Sequence, residues 1–303
     1  MRKLIALTLI ASCISLTARA DDPPTGAGSP RATTLSGKLQ DQGNMLADKL
    51  DRLCQRVTQT GFNAVRASWL DVLGTWYELY GTPVQLTDAP IFTGESVTIP
   101  EVESAIRAAS QASIQEGALP QPNVRGLTVL EYLLWGEDRP LAQLGRIRFK
   151  QRCNYTELVA TELASQATRL NDLLSSTGPL PRQSALMLVN ERILDLRDRL
   201  LALSVNNPID RSKQGWWRSR QTRFVAQSMV RGLTASLVTG LNGNAPLLAS
   251  RPDMLDAARS DLASISTVLG RMGNDGLMSN EDQAQAWAAL THLADLSKSL
   301  SAS

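Results

Sequence analysis

The segment from Arg125 to Gly136, RGLTVLEYLLWG, contains one carboxylate in an otherwise apolar stretch that is typical of a short helix. Residues three apart lie on one face of a helix, so Thr128 and Glu131 can present a hydroxyl and a carboxylate to the same ligand. Gly126 allows close backbone approach where this helix begins. We predict that Arg125, Thr128 and Glu131 line a cleft, in which Glu131 either contacts a ligand or pairs with a cation across a domain contact.

A second segment whose side chains could bind a ligand runs from Gln214 to Arg223 and reads QGWWRSRQTR. Indole rings attract cations, and guanidinium groups bind carboxylates and phosphates. Trp216, Arg218 and Arg220 are therefore suited to an organic anion, a glycan or a chelated metal. In the alternative interpretation the indoles pack between helices and the arginines are solvated.

The sequence contains no H-E-x-x-H, C-x-x-C or G-x-S-x-G motif and no glycine-rich phosphate loop. Its one histidine, His292, lies beside an apolar stripe near the C-terminus, and we interpret it as a partly buried structural residue. A zinc peptidase normally needs several close nitrogen or carboxylate ligands, which one distant histidine does not supply. The motifs thus predict no catalytic residue.

Apolar residues spaced by three and four recur along most of the 303-residue chain, and aromatic residues make up only 5% of it. This pattern predicts an all-α fold. A glycine and two prolines interrupt it between Thr177 and Gln183. Because the apolar stripes are short, we expect two bundles of about four antiparallel helices each, over residues 37–178 and 179–303, with the binding site between them.

The first 20 residues combine Arg2 and Lys3 with an apolar run and an Ala18-Arg19-Ala20 cleavage pattern, which predicts a secretory signal peptide. The alternative is a lipid anchor on Cys13. Residues 21–36 have the composition of a flexible leader. Cleavage removes three of 31 basic residues and none of 29 acidic ones, so the net charge changes from +2 to −1. We expect a soluble, monomeric periplasmic protein of a Gram-negative bacterium that does not bind nucleic acid.

Two cysteines, Cys54 and Cys153, are left after cleavage. In an oxidising compartment they could form a disulfide, which for a loop of this length stabilises a fold by about 4 to 5 kcal/mol in the chain-entropy model. The alternative is two buried free thiols.

The RGLTVLEYLLWG segment resembles the signature of the imelysin family, G-x-H-x-x-E on a short helix followed by Tyr-Leu-Leu. Gly126, Thr128 and Glu131 occupy the Gly, His and Glu positions of that signature. The early helix with Trp69 and Trp76, the WWRSRQTR segment, the signal peptide and the two predicted bundles are also similar to the family plan. The resemblance implies a nominal metallopeptidase family that is linked to bacterial iron uptake, with a metal site around the motif.

Thr128 replaces the motif histidine, and a hydroxyl is a much weaker metal ligand than an imidazole. The resemblance therefore implies a non-enzymatic periplasmic binding component of iron acquisition. Its ligand would be a metal ion or small molecule, with iron or another divalent cation bound weakly by Glu131, and its partners would be iron-uptake membrane components. The alternatives are an imelysin-type metallopeptidase and a binder of an organic anion or glycan.

Overall fold

The computed structural model describes residues 30–86, 92, 99–109, 124–136, 142–178, 180–201, 203, 216–240, 245–272 and 277–301. The predicted signal peptide, its cleavage site and Cys13 lie outside these residues. The regular secondary structure within them is helical, which confirms the all-α prediction. None of the described helices is long and apolar enough to cross a membrane.

The first bundle is built on three long helices that pack side by side, with shorter helices against them. Its helices are α1 (Pro30–Gln55), α2 (Gln59–Tyr80), α3 (Ile99–Ala109), α4 (Leu127–Trp135), α5 (Gln143–Ile147) and α6 (Lys150–Ser176). Each long helix has an apolar stripe at three- and four-residue spacing, and burial of these stripes brings the helices together.

Two boundaries differ from the sequence-based expectation. Residues 30–36, which we assigned to the leader, belong to α1, because Ala32 and Leu35 continue the buried stripe of Leu39. Leu144, Ile147 and Leu158 continue at helical spacing, which predicts one long helix, but the structure has an interruption before α6. The backbone of Phe149 is extended there, with φ −72° and ψ 117°, which ends α5 and begins α6 in a new direction.

The second bundle follows the predicted junction, since α6 ends at Ser176 and the next helix begins at Arg182. It contains α7 (Arg182–Leu201), α8 (Thr222–Thr234), a π-helical turn (Ala235–Thr239), α9 (Pro252–Arg271) and α10 (Asn280–Ser301). Buried apolar side chains form one continuous cluster through both bundles, so the two share a core.

The bundles meet where α2 crosses α8, and two glycines allow the helices to touch there. A Cβ atom on Gly232 would lie 2.2 Å from the backbone oxygen of Glu78. One on Gly81 would lie 2.5 Å from the backbone oxygen of Met229. These opposing atoms are backbone and cannot rotate away, so the crossing depends on both glycines.

A disulfide joins Cys54 to Cys153, with a Cα–Cα distance of 5.5 Å. Cys54 lies one residue before the end of α1, and Cys153 lies in the first turn of α6. The bond therefore fixes these two helix termini at the same end of the first bundle.

Gly232→Ala is expected to lower the free energy of unfolding by about 1 to 3 kcal/mol, because the new methyl group overlaps the α2 backbone. Alanine favours the helix over glycine by about 1 kcal/mol, and this gain offsets the loss only in part. Gly270→Ala in α9 is the control, since a Cβ there meets nothing within 4 Å. Chemical denaturation should show the first variant destabilised and the second unchanged or stabilised. Equal behaviour of the two variants would contradict the glycine-dependent crossing.

Candidate functional site

The helix that carries Glu131, α4, is held at both ends by side chains of α2. At its start, the backbone of Gly126 has φ 96°, a conformation that favours glycine. The Trp69 indole N–H donates to the Leu127 carbonyl at 3.1 Å. At its end, Arg66 Nη2 donates to the Leu134 carbonyl at 2.5 Å. These contacts fix the position of Glu131.

The Glu131 side chain is only 1% exposed and contacts the second bundle directly. Its Oε1 accepts a hydrogen bond from the Ser219 backbone N–H at 2.9 Å and another from the Ser219 hydroxyl at 2.6 Å. A buried carboxylate is costly unless its oxygens are hydrogen-bonded, and Ser219 supplies that compensation. Glu131 thus joins α4 of the first bundle to the segment before α8.

The turn that presents Ser219 has an unusual backbone. Trp216 and Arg220 have φ values of 68° and 59°, a region that non-glycine residues rarely adopt. The Gln221 N–H closes the turn by donating to the Trp216 carbonyl at 3.0 Å. Turns with left-handed residues point successive N–H groups to one side, where an anion can accept them. Here the anion is the Glu131 carboxylate of the same chain.

Among the described residues, Arg218 forms the ion pair with this carboxylate, with 4.0 Å between its Nη1 and Glu131 Oε2. Its guanidinium carbon also lies 4.6 Å from the ring centroid of Trp217 and 5.8 Å from that of Tyr132. Burial raises the pKa of the Glu131 carboxyl above its ordinary value of 4.5. The Ser219 hydrogen bonds and the charge of Arg218 offset only part of this rise in pKa.

Trp216 is 1% exposed and belongs to the contact between the bundles. Its indole N–H donates to the Tyr77 hydroxyl at 3.0 Å, and its ring packs edge-on against Trp69 at 5.6 Å between centroids. Arg220, by contrast, is exposed. The three residues predicted to bind an organic anion, a glycan or a chelated metal therefore have different environments: Trp216 is enclosed, Arg218 lies beside Glu131, and Arg220 faces solvent.

Two other residues of the predicted cleft also have different surroundings from Glu131. Arg125 forms an ion pair with Glu162 of α6, at 3.6 Å. Thr128 is half-buried on α4. The polar atoms that do meet the Glu131 carboxylate come from Ser219 and Arg218, across the bundle contact.

The residues around Glu131 do not fit a bound metal. Its Oε1 already accepts two hydrogen bonds, and its Oε2 faces a guanidinium group that would repel a cation. Thr128 supplies no imidazole. Across the part of the chain that the structure describes, no three His, Cys, Asp or Glu side chains come together as a metal site would require.

His292 lies in the second bundle, on α10. Its Nδ1 is 2.7 Å from an Asp261 carboxylate oxygen on α9. Its side chain is 54% exposed, so the ring is more open than the partly buried position suggested by the sequence, although part of it is covered. Packing of α9 against α10 turns this position outward from the apolar stripe, and the ring is held by one carboxylate.

Sequence reasoning missed a second polar contact between the bundles. Arg199 of α7 pairs with Asp195 at 3.0 Å, and its guanidinium carbon lies 5.4 Å from the Tyr77 ring centroid. Arg192, one turn before Asp195, lies 4.0 Å from the Tyr80 ring centroid. Both tyrosines belong to the last turn of α2, so α7 contacts α2 through charged and aromatic side chains. The pair of tyrosines that follows Trp69 and Trp76 was the available sequence signal for this contact. It does not indicate which residues the tyrosines contact.

These observations define an all-α protein of two bundles joined through a buried glutamate on a short helix. The chain belongs to the imelysin family, because residues 37–301 match the family model described as Imelysin. No curated protein sequence is significantly similar to this chain.

Two crystal structures have a similar fold. One is a protein from Parabacteroides distasonis described as an iron-regulated protein A precursor. It is 13% identical over 94% of this chain and 96% of that chain, with a TM-score of 0.72. The other is an imelysin-like protein from Psychrobacter arcticum, 16% identical over 88% of this chain and 89% of that chain, with a TM-score of 0.60. At these identities the similarity shows the fold alone.

Glu131→Ala is expected to lower the free energy of unfolding by about 3 to 5 kcal/mol, because it leaves the Ser219 donors and the Arg218 charge without their acceptor. Ser219→Ala should cost about 1 kcal/mol, since the backbone N–H remains. Asp256→Asn is the control, as this carboxylate is 73% exposed and pairs with Arg259 one turn away on the same helix. Chemical denaturation should show the largest loss of unfolding free energy for Glu131→Ala, a smaller loss for Ser219→Ala and the smallest for Asp256→Asn. Any other order would contradict the structural role of Glu131.

The raised pKa of Glu131 predicts a specific pH dependence. A carboxyl whose pKa is raised by folding stabilises the protein fully below its unfolded pKa, and this contribution is lost as the pH rises through the raised value. Glu131→Gln keeps the shape and one acceptor but does not titrate. Melting temperatures should therefore rise for the variant relative to the natural protein as the pH increases from 4.5 upward. A difference that is constant with pH would contradict the raised pKa.

Proposed function

We propose that the protein is an exported member of the imelysin family that serves iron acquisition as a binding component and does not hydrolyse peptides. The enclosure of Glu131 by Ser219 and Arg218 is the observation on which this proposal rests. The position that a metal would need is taken by hydrogen-bond donors of the chain itself.

A metallopeptidase needs a metal with an open coordination position, where the ion lowers the pKa of a bound water. Thr128 supplies no strong ligand, and both Glu131 oxygens face donors. His292 pairs with Asp261 on another pair of helices. The motif helix is therefore better suited to joining the bundles than to activating water.

The link to iron is supported by family membership and by the relative described as an iron-regulated protein A precursor. Export is supported by the basic, apolar and A-x-A pattern of residues 1–20. Because Glu131 is committed to the bundle contact, a binding component of this kind would recognise its ligand or its iron-uptake membrane partner through other surfaces. The alternative of an organic anion or glycan bound by Trp216, Arg218 and Arg220 stays a prediction.

Purified protein should show no chelator-sensitive cleavage of a peptide library, because no metal is held in a position to activate water. The same preparation should contain less than one equivalent of iron or zinc by elemental analysis. An authentic zinc peptidase, assayed in parallel, controls for the library. Chelator-sensitive cleavage that is lost in Glu131→Gln would overturn the non-enzymatic proposal and support the metallopeptidase alternative.

Thr128→His restores the family residue and tests the donor set directly. We expect calorimetric titration with zinc or ferrous iron to show no tight binding by this variant, because Ser219 and Arg218 still hold the Glu131 carboxylate. Adding Ser219→Ala to Thr128→His removes one competing donor and provides the comparison. Tight binding by Thr128→His alone would show that Glu131 is free to coordinate.

The iron-acquisition role is tested by growth in iron-depleted medium. A strain that lacks the gene should grow more slowly there than its parent and equally well in iron-replete medium. Both the natural protein and Glu131→Gln should restore growth, since the proposal assigns Glu131 no ligand. Equal growth of the deletion strain and its parent under depletion would contradict the role in iron acquisition.

A further inference from the structure

One end of the first bundle carries exposed basic residues around an exposed phenylalanine. The disulfide between Cys54 and Cys153 fixes the end of α1 next to the start of α6. The turn after α1 and the bend before α6 therefore lie at the same end. We call this the basic end and define it by Arg52, Arg56, Arg148, Phe149 and Lys150.

Phe149 is 69% exposed, which is the largest exposure among the large apolar side chains that the structure describes. It occupies the bend between α5 and α6, where the extended backbone turns it out of both helices. Arg148 and Lys150 on either side of it are also exposed. Exposure of most of an aromatic ring to water is unfavourable, and at this bend the exposed ring lies between two cations.

The cations of the basic end have no carboxylate partner among the described residues. Arg52 and Arg56 line a cavity of about 450 Å³ between α1 and α2, which Lys49 also lines. None of the described residues that line this cavity is acidic. The neighbouring carboxylates are Asp51 on α1, which accepts hydrogen bonds from Gln55, and Glu157 on α6, which lies near Asp51. The end is therefore positive in excess.

We propose that the basic end docks on an anionic phospholipid bilayer surface. Lys and Arg side chains are attracted to anionic headgroups, and an aromatic ring among them can enter the boundary between headgroups and acyl chains. An acidic protein partner would match the charge but would not require a phenyl ring that is 69% exposed at the bend. This membrane contact goes beyond the proposed function and does not depend on Glu131 or on iron.

The arrangement suits reversible docking. Each basic residue near an anionic membrane strengthens binding about fivefold. Added salt weakens this attraction because it shortens the Debye length over which the charges act. Phe149 adds an apolar contribution that salt does not screen. The disulfide keeps the two groups of cations at one end, so they can reach the same surface together.

The test is co-sedimentation of the protein, beginning at Asp21, with vesicles of phosphatidylglycerol and phosphatidylethanolamine, and in parallel with phosphatidylcholine vesicles. We expect binding to the anionic vesicles that weakens with salt. Arg148→Gln with Lys150→Gln should weaken binding about 25-fold, and Phe149→Ser about tenfold. Arg251→Gln with Arg259→Gln is the matched control, because it removes the same charge from exposed arginines of the second bundle.

Retained binding by the control, together with loss in the two basic-end variants, supports the proposal, provided that thermal melts show all variants folded. Three results would each overturn it: no binding to anionic vesicles at moderate salt, equal binding to phosphatidylcholine, or equal loss in the control. Titration with inorganic phosphate separates a small-anion site from a membrane surface. Heat of phosphate binding that Arg52→Gln with Arg56→Gln removes, without vesicle binding, would reassign the cavity to a small anion.

Discussion

Burial of the Glu131 carboxylate is the constraint on which the arrangement of the two bundles depends. A carboxylate that is 1% exposed must find hydrogen-bond donors, and here they come from Ser219, 88 residues further along the chain. Satisfying this one group therefore requires the segment before α8 to lie against α4. The α2–α8 crossing through Gly81 and Gly232 is compatible with that position, because it lets the helices approach to backbone contact.

The strained turn and the buried carboxylate depend on each other. Left-handed backbone at a non-glycine residue costs about 1 to 3 kcal/mol and persists only where its surroundings hold it. Glu131 accepts the donors that the turn between Trp216 and Arg220 points inward, and Tyr77 holds the Trp216 indole. The turn belongs to the second bundle but is stabilised by groups of the first. The two bundles should accordingly unfold as one cooperative unit, consistent with their continuous core.

The sequence predicted the all-α class and the two-bundle plan, because apolar spacing reports helices directly and a proline-rich break separates them. It also predicted the RGLTVLEYLLWG helix. One of its two interpretations of Glu131 was a charged contact across the bundles. It did not identify Ser219 as the partner, because left-handed conformations at Trp216 and Arg220 have no local sequence signal. The start of α1 at Pro30 was missed because a leader-like composition extends over its first turn, and only tertiary burial of Ala32 and Leu35 makes that turn helical.

The disulfide also changes the connectivity of the molecule. Cys54 and Cys153 close a covalent ring of the chain that contains α2, α3, α4 and α5. A single backbone cleavage anywhere within this ring opens it without dividing the polypeptide into two separate molecules. Such a nicked protein keeps its intact mass apart from one added water, and its fragments separate only after reduction. The motif helix and the tryptophans of α2 thus remain covalently attached to α6 even after the chain has been cut.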